Sequence, residues 1–106
     1  APPASSGSVQ AIIEAAFASL GATAQKWGLC IAFHESGDNP NAVQPGPNGA
    51  LGLFQFEAST WATTPEGRAG DSVFSATASA AAAAWEYGRG NYSAWTTNAD
   101  YCWMYD

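Results

Sequence analysis

One carboxyl group stands where its surroundings would suit it to acid chemistry. Glu35 follows Trp27 and Ile31 at intervals of four residues, so on a helix the three side chains lie along one face. Partial burial of that face would disfavour the charged form of the carboxyl group. Because a general acid must carry its proton, we predict that Glu35 can act as one. A helix-end glutamate that points into water is the alternative.

Short motifs follow Glu35 in a fixed order. They read Glu35-Ser36, Pro40-Asn41-Ala42-Val43, Gly52-Leu53-Phe54-Gln55 and Thr60-Trp61. This ordered set resembles the lytic transglycosylases and the wider lysozyme-like superfamily. The resemblance implies that Glu35 is the catalytic acid and that Ser36 and Gln55 lie beside it in a glycan-binding cleft. We expect Phe54, in the same motif as Gln55, to contact substrate as well.

A further part of the resemblance lies at residues 84–90. Lytic transglycosylases carry Ala-Tyr-Asn-Ala-Gly-Pro-Gly at the end of the matching helix, with the Tyr and Asn facing the cleft. Here Trp85 replaces the Tyr and Glu86 replaces the Asn. We therefore expect Trp85 and Tyr87 to contact substrate, and Glu86 to be a candidate second carboxylate facing Glu35. A solvated Glu86 at the helix end is the alternative.

The resemblance implies cleavage of peptidoglycan at the β-1,4 bond from N-acetylmuramic acid to N-acetylglucosamine. A second carboxylate could activate water or act as nucleophile. The candidates, in order, are Glu86, Asp38 and Glu57, although an Asp38 that only caps the loop is the plainer interpretation. The carboxylate at position 86 favours a muramidase, that is, a lysozyme. The alternatives are a lytic transglycosylase that forms 1,6-anhydro products and a non-catalytic module that binds cell-wall glycan.

The composition of the chain argues against several classes of binding partner. The net charge is −6, and only Lys26, Arg68 and Arg89 are positive, which argues against nucleic acid and against capture by anionic membranes. No apolar run is long enough to span a bilayer. One histidine and two cysteines offer no metal site, so we expect no cofactor. The expected partner of this monomer is the glycan strand of peptidoglycan, held by stacking and hydrogen bonds.

The two cysteines, Cys30 and Cys102, could be buried thiols or a disulfide. The Pro/Ser-rich start, the low Lys and Arg content and the five tryptophans are typical of a secreted protein. We therefore predict a disulfide in a secreted, antibacterial protein. The sequon at Asn91 matters only if the source is eukaryotic.

The 106 residues predict one domain of mainly α, lysozyme-like α+β fold, with a long cleft-forming loop or short hairpin and one disulfide. Residues 8–106 would be the catalytic domain. Residues 1–7 read as the end of a linker, which a cell-wall-binding module could precede.

Helical spacing, the high helix propensity of the alanine-rich run at 76–87, and caps predict the elements that position these residues. Regular helices are expected from Ser8 to Leu20, from a cap at Thr23 to Glu35, and over residues 76–87 after a cap at Ser72 or Ser75. A short helix is expected at 57–63, and surface loops at 36–50 and 64–71. The first of these loops would form a wall of the cleft. Of the aromatic residues in the tail after residue 91, some must pack and others would line sugar subsites.

Overall fold

A computed structural model of the chain describes residues 6–46 and 49–106. Its main elements are α1 (Ser6–Phe17), α2 (Ala22–Ser36), β1 (Ala50–Leu51), β2 (Phe56–Glu57), α3 (Ala58–Trp61), α4 (Pro65–Arg68) and α5 (Ala76–Gly88). Short 3₁₀ turns lie at Ala18–Leu20, Tyr92–Ala94 and Trp103–Tyr105, and a π-helical turn lies at Asn98–Cys102. The predicted helical fold with a short hairpin and one disulfide is confirmed. Among the described helices, none has both the length and the apolar character needed to cross a membrane.

The first two helices depart from prediction at their ends. Helix α1 begins at Ser6, before the expected Ser8, and its last residues tighten into the 3₁₀ turn before Gly21. Gly21, at φ 104°, precedes α2, so the predicted cap at Thr23 is wrong and Thr23 lies inside the first turn. Residues 6 and 7, which were predicted to end a linker, therefore belong to α1. The rest of that predicted linker, residues 1–5, lies outside the described residues.

Side-chain hydrogen bonds cap the N-termini of two later helices, α4 and α5. The Ser75 hydroxyl accepts a hydrogen bond from the Ala78 amide, which selects Ser75 from the two predicted caps of α5. The predicted loop at 64–71 instead contains α4. Thr64 caps α4 by accepting from the Gly67 amide, and Pro65 occupies the first helical position, where its missing N–H costs nothing. The proline therefore starts a helix here, and does not prevent one.

The core forms where α1 packs against α2 and α5. Ile13 and Phe17 of α1 and Trp27 of α2 are all fully buried, and the rings of Phe17 and Trp27 lie 5.9 Å apart between centroids. The alanine-rich face of α5 is largely buried, which lets the neighbouring helix approach closely. Trp27 also packs against Trp95 from the C-terminal tail at 5.3 Å, so the tail is part of the core.

The hairpin pairs β1 and β2 antiparallel, with Leu51 opposite Phe56. The loop after α2 joins it, because Val43 forms a bridge with Leu51 and the Gly52 amide donates to the Ala42 carbonyl at 2.8 Å. Gly52 has φ 81°, and a Cβ there would lie 2.3 Å from the Val73 carbonyl oxygen. The absence of a side chain at Gly52 therefore allows the close approach of the Val73 backbone.

Gly52→Ala is expected to destabilise the fold by about 3 kcal/mol, because the new methyl group combines left-handed strain with a clash against backbone. Gly70→Ala is the matched control: Gly70 has φ 86°, but a Cβ there meets nothing within 4 Å. Urea unfolding of both variants separates the two effects. A loss at Gly52 no larger than that at Gly70 would show that the Val73 contact is unimportant.

Candidate active site

Glu35 lies in the last turn of α2 and is half-buried. Trp27 and Ile31, which precede it on the same face, are fully buried. The Thr97 hydroxyl donates a hydrogen bond to Oε2 of Glu35 at 2.8 Å. This contact joins residues 62 positions apart and fixes one oxygen of the carboxyl group, while the other is left for a further partner.

The tail that carries Thr97 is anchored on both sides. Before it, the Trp95 indole N–H donates to the Phe54 carbonyl at 2.8 Å. After it, Asn98 Oδ1 accepts from the Trp27 indole N–H at 2.7 Å. Both anchors are buried, so they hold the Thr97 backbone against α2. Sequence reasoning missed Thr97, since a single threonine in an irregular tail has no spacing or motif that marks it.

Ser36 joins the end of α2 to the hairpin turn. Its hydroxyl lies 2.7 Å from the Leu53 carbonyl and 3.1 Å from the Ala32 carbonyl, and it accepts from the Asn39 amide at 3.2 Å. Protein groups therefore surround the hydroxyl that we expected to contact substrate. Its observed contacts fix the backbone next to Glu35.

Gln55 occupies the hairpin turn with φ 55°, a left-handed conformation that non-glycine residues rarely adopt. Its side-chain amide nitrogen donates to the Gly52 carbonyl at 2.8 Å and to the Ala42 carbonyl at 3.3 Å. The Gln55 side chain thus ties the turn to the loop after α2. Backbone strain of this kind clusters at functional sites, where surrounding structure enforces it.

A cavity of about 240 Å³ lies between the hairpin, the end of α5 and the tail. Its lining comprises Gln55, Phe56, Glu57, Thr60, Glu86, Asn91, Ala94 and Trp95. Glu35 itself does not line the cavity; Thr97, its hydrogen-bond partner, follows shortly after Trp95. No described residue of the loop after α2 lines it either, so that loop is not the predicted wall of this cavity.

Glu86 is only 2% exposed, so the alternative of a solvated helix-end side chain is wrong. Its Oε1 has no hydrogen-bond partner among the described residues and lies 3.6 Å from Nη1 of Arg89. A buried carboxylate with so little compensation is costly unless a ligand or water supplies the missing contacts. Glu57 lines the same cavity from its exposed rim.

Asp38, the other candidate carboxylate, lies elsewhere. It is buried on the turn that follows α2, at φ 62°, and its amide donates to the Ala32 carbonyl at 3.3 Å. Asp38 is not among the residues that line the cavity beside Glu86. Of the three candidates, the structure therefore groups Glu86 with Glu57 and separates Asp38 from them.

The three residues at the end of α5 face different directions, because consecutive helical positions are about 100° apart. Glu86 faces the cavity. Trp85 lies in a separate groove beside Leu20, with the Arg89 guanidinium 4.4 Å above its ring. The resemblance placed positions 85 and 86 together in the cleft, and Tyr87 was expected to contact substrate as well, but Trp85 and Tyr87 do not line the cavity that Glu86 lines.

Tyr87 is partly buried and packs against the hydrophobic core. Its ring lies 4.9 Å from that of Trp27, and its hydroxyl donates to the Tyr105 carbonyl at 2.8 Å. Burial raises the pKa of Tyr87, and nearby Tyr92 and Asp106 raise it further. The hydroxyl therefore keeps its proton, and this hydrogen bond, at ordinary pH.

Phe54 is fully buried, with its ring 6.1 Å from that of Phe17 and 6.5 Å from that of Trp95. An aromatic ring without an exposed face gives a sugar no surface to stack on. The expected substrate contact by the Phe54 side chain therefore does not fit its position. Its carbonyl group contributes instead, as the acceptor for the Trp95 anchor.

Thr97→Val is expected to lower kcat for glycan cleavage about tenfold with little change in KM, because the lost hydrogen bond leaves the Glu35 carboxyl group free to rotate. Thr97→Ser keeps the hydroxyl and should retain most of the activity. Thr96→Val, at an exposed neighbouring position, is the control. Equal activity of the Thr97→Val and Thr96→Val variants would rule out this positioning role.

A comparison with known protein families gives a match over most of the chain. Residues 18–97, well over half of the 106 residues, match the family model described as Transglycosylase SLT domain. The matched span contains Glu35, Glu86 and Thr97. No curated protein and no solved structure gives a significant match.

Proposed function

The chain belongs to the Transglycosylase SLT domain family, and on that premise we propose that it is a muramidase with Glu35 as general acid. Lysozyme-like enzymes of this family act on the glycan strands of peptidoglycan, and this chain shares that general activity. The proposed scissile bond is the β-1,4 link from N-acetylmuramic acid to N-acetylglucosamine.

The position of Glu35 is the observation that carries the proposal. Its carboxyl group is half-buried at the end of a helix and has one oxygen fixed by the Thr97 hydroxyl at 2.8 Å. A general acid needs this kind of fixed orientation, because the proton must point at the leaving oxygen as the bond breaks. Anchors on both sides of Thr97 support that orientation.

In the proposed reaction, Glu35 gives its proton to the glycosidic oxygen as the bond from that oxygen to C1 of the muramic acid breaks. Positive charge develops at C1 and on the ring oxygen. The oxygen of a water molecule then bonds to C1, and the proton that the water loses passes to a carboxylate. The products are two shortened strands, one of which carries a reducing end.

Glu86 is the proposed acceptor of that proton. Its buried carboxyl group forms part of a cavity whose polar lining and volume of about 240 Å³ suit a water molecule. Oε1 has no hydrogen-bond partner among the described residues, so it has a lone pair available to such a water. A general base that activates water in this way leads to inversion at C1.

A lytic transglycosylase is the second candidate, and the family description favours it. In that reaction the 6-hydroxyl of the muramic acid attacks C1, and the Glu35 carboxylate takes the proton that the hydroxyl loses. No second carboxylate is needed. The cleaved strand then ends in a 1,6-anhydro sugar, and no water is consumed.

Mass spectrometry of peptidoglycan digested by the wild-type protein separates the two reactions, since hydrolysed ends are heavier than anhydro ends by one water. We expect hydrolysed ends.

We also expect Glu86→Gln to abolish cleavage, whereas Glu57→Gln, at the exposed rim of the same cavity, should not. Anhydro ends, or full activity of Glu86→Gln, would contradict the muramidase proposal. A protein that binds the wall and releases no product would be a non-catalytic module.

We also propose that the protein works outside the cell. The disulfide between Cys30 and Cys102 supports this location, since such bonds persist in oxidising compartments. Peptidoglycan, the substrate of the family, lies there as well.

A further inference from the structure

Arg89 directly follows α5 and lies beside Glu86, the proposed acceptor of the proton that water loses. Nη1 of Arg89 lies 3.6 Å from Oε1 of Glu86. The Arg89 side chain is 56% exposed, whereas Glu86 is buried. The two charges attract at this distance without a hydrogen bond, so Oε1 remains open to a water molecule in the cavity. A cation at the surface is therefore paired with a carboxyl group in the interior.

A second contact, with Trp85, holds the Arg89 side chain in place. The central carbon of the guanidinium lies 4.4 Å from the centroid of the Trp85 ring, which is the arrangement of a cation–π interaction. The Arg89 amide donates to the carbonyl groups of Trp85 and Glu86, each at 3.3 Å, and so fixes the backbone from which the side chain starts. The observed contact of Trp85 is thus with Arg89, and not with a group in the cavity.

The position of Glu86 disfavours its charged form in two ways. The side chain is buried, and burial favours a neutral carboxyl group. Glu86 also lies in the last turn of α5, where the negative end of the helix dipole repels a carboxylate. In the proposed reaction, however, Glu86 must be ionised before it can take a proton from water. The guanidinium of Arg89 supplies positive charge that offsets both effects.

The other charged groups around α5 do not supply this positive charge. Glu57, the second titratable residue in the cavity lining, is acidic, and the tail lines the cavity with residues that do not titrate. The titratable side chains on the helices that pack against α5 are Glu14 of α1, Lys26, His34 and Glu35 of α2, and Glu66 and Arg68 of α4. Among the described residues, none of the basic ones in that set forms an ion pair with Glu86.

We propose that Arg89, held against the Trp85 ring, is a positioning residue that keeps Glu86 ionised for its role as general base. The inference rests on the proposed function, because the charge of Glu86 matters only if Glu86 accepts the proton from water. Arginine suits both contacts, since its planar guanidinium can stack on an indole ring while it faces a carboxylate. Arg89 itself exchanges no proton, because a guanidinium stays charged.

The test measures kcat and KM for peptidoglycan cleavage across a range of pH. Without the cation, Glu86 should keep its proton to higher pH. We therefore expect Arg89→Gln to lower kcat about tenfold on the acid side of the wild-type optimum, with little change in KM, and the loss to shrink as the pH rises. Arg89→Lys restores the charge and should recover most of the activity. Arg68→Gln, which removes the same charge from an exposed position of α4, is the matched control.

Trp85→Ala tests the second contact and leaves Arg89 in the chain. It should lower kcat about threefold in the same pH range, because the guanidinium is no longer held beside Glu86. In an Arg89→Gln background it should have no further effect, since the two residues then act as one unit. A further loss in that background would overturn the assigned role of Trp85.

A pH profile of Arg89→Gln that coincides with that of Arg68→Gln would overturn the proposal. A loss of the same size at every pH would do so as well, because a change in the charge of Glu86 must depend on pH. The Tm of each variant separates these results from a loss of folded protein. Failure of the proposed function is read independently, as anhydro ends from the wild type or full activity of Glu86→Gln.

Discussion

Glu35→Gln is expected to lower the rate of peptidoglycan cleavage by about 10²–10⁴-fold, the contribution typical of a general acid. The amide has nearly the shape of the carboxyl group, and its oxygen can still accept the hydrogen bond from Thr97. The variant should therefore fold and unfold as the wild type does while lacking the acidic proton. The measurements are product release from purified peptidoglycan and the thermal unfolding midpoint, Tm.

Glu14→Gln provides the matched control, because it makes the same chemical change at an exposed position of α1. It should leave the cleavage rate unchanged. If Glu35→Gln cleaves as fast as Glu14→Gln, Glu35 is not the acid, whatever its contacts. Glycan binding by Glu35→Gln also shows whether only the chemical step is lost.

Removing the disulfide is expected to have the largest effect on stability. The bond joins Cys30 of α2 to Cys102 in the tail, 72 positions apart. For a closed loop of this length, the chain-entropy model gives a loss of about 4 kcal/mol in the free energy of unfolding. In a domain of this size, that loss would lower Tm by roughly 20 °C.

The variant for this test is Cys30→Ala/Cys102→Ala, measured by urea unfolding. Cleavage should also decline at temperatures where the variant is still folded, because the bond holds the segment that carries Thr97 against α2. A reductant should lower the stability of the wild type and leave that of the variant unchanged. Equal unfolding midpoints for the variant and the wild type would contradict this prediction.

Several features could be predicted from the sequence because they depend on near neighbours. The spacing of apolar residues predicted α2 and the burial of Trp27 and Ile31. Alanine content and a serine cap predicted α5. The ordered motifs predicted the family that the comparison confirmed. With only two cysteines in the chain, a disulfide could have just one pairing.

Other expectations failed where local patterns have two interpretations. Residues 64–71 contain proline and glycines and were expected to be a loop, but Thr64 and Pro65 begin a short helix there. The residues at the end of α5 were expected to face a common cleft, but their helical spacing directs Trp85 and Glu86 to different grooves. A motif identifies such residues without showing which way each side chain points.

The partner of Glu35 was decided by tertiary structure alone. Thr97 reaches the carboxyl group only because Trp95 and Asn98 anchor the tail to the core, and each of those bonds joins positions far apart in the chain. The tail also divides its aromatic residues by packing, with Trp95 buried and Tyr101 exposed. Propensity and periodicity act over a few residues, whereas these contacts depend on how whole segments pack. The sequence alone therefore determined the family, the main helices and the candidate acid, and packing determined what holds that acid in place.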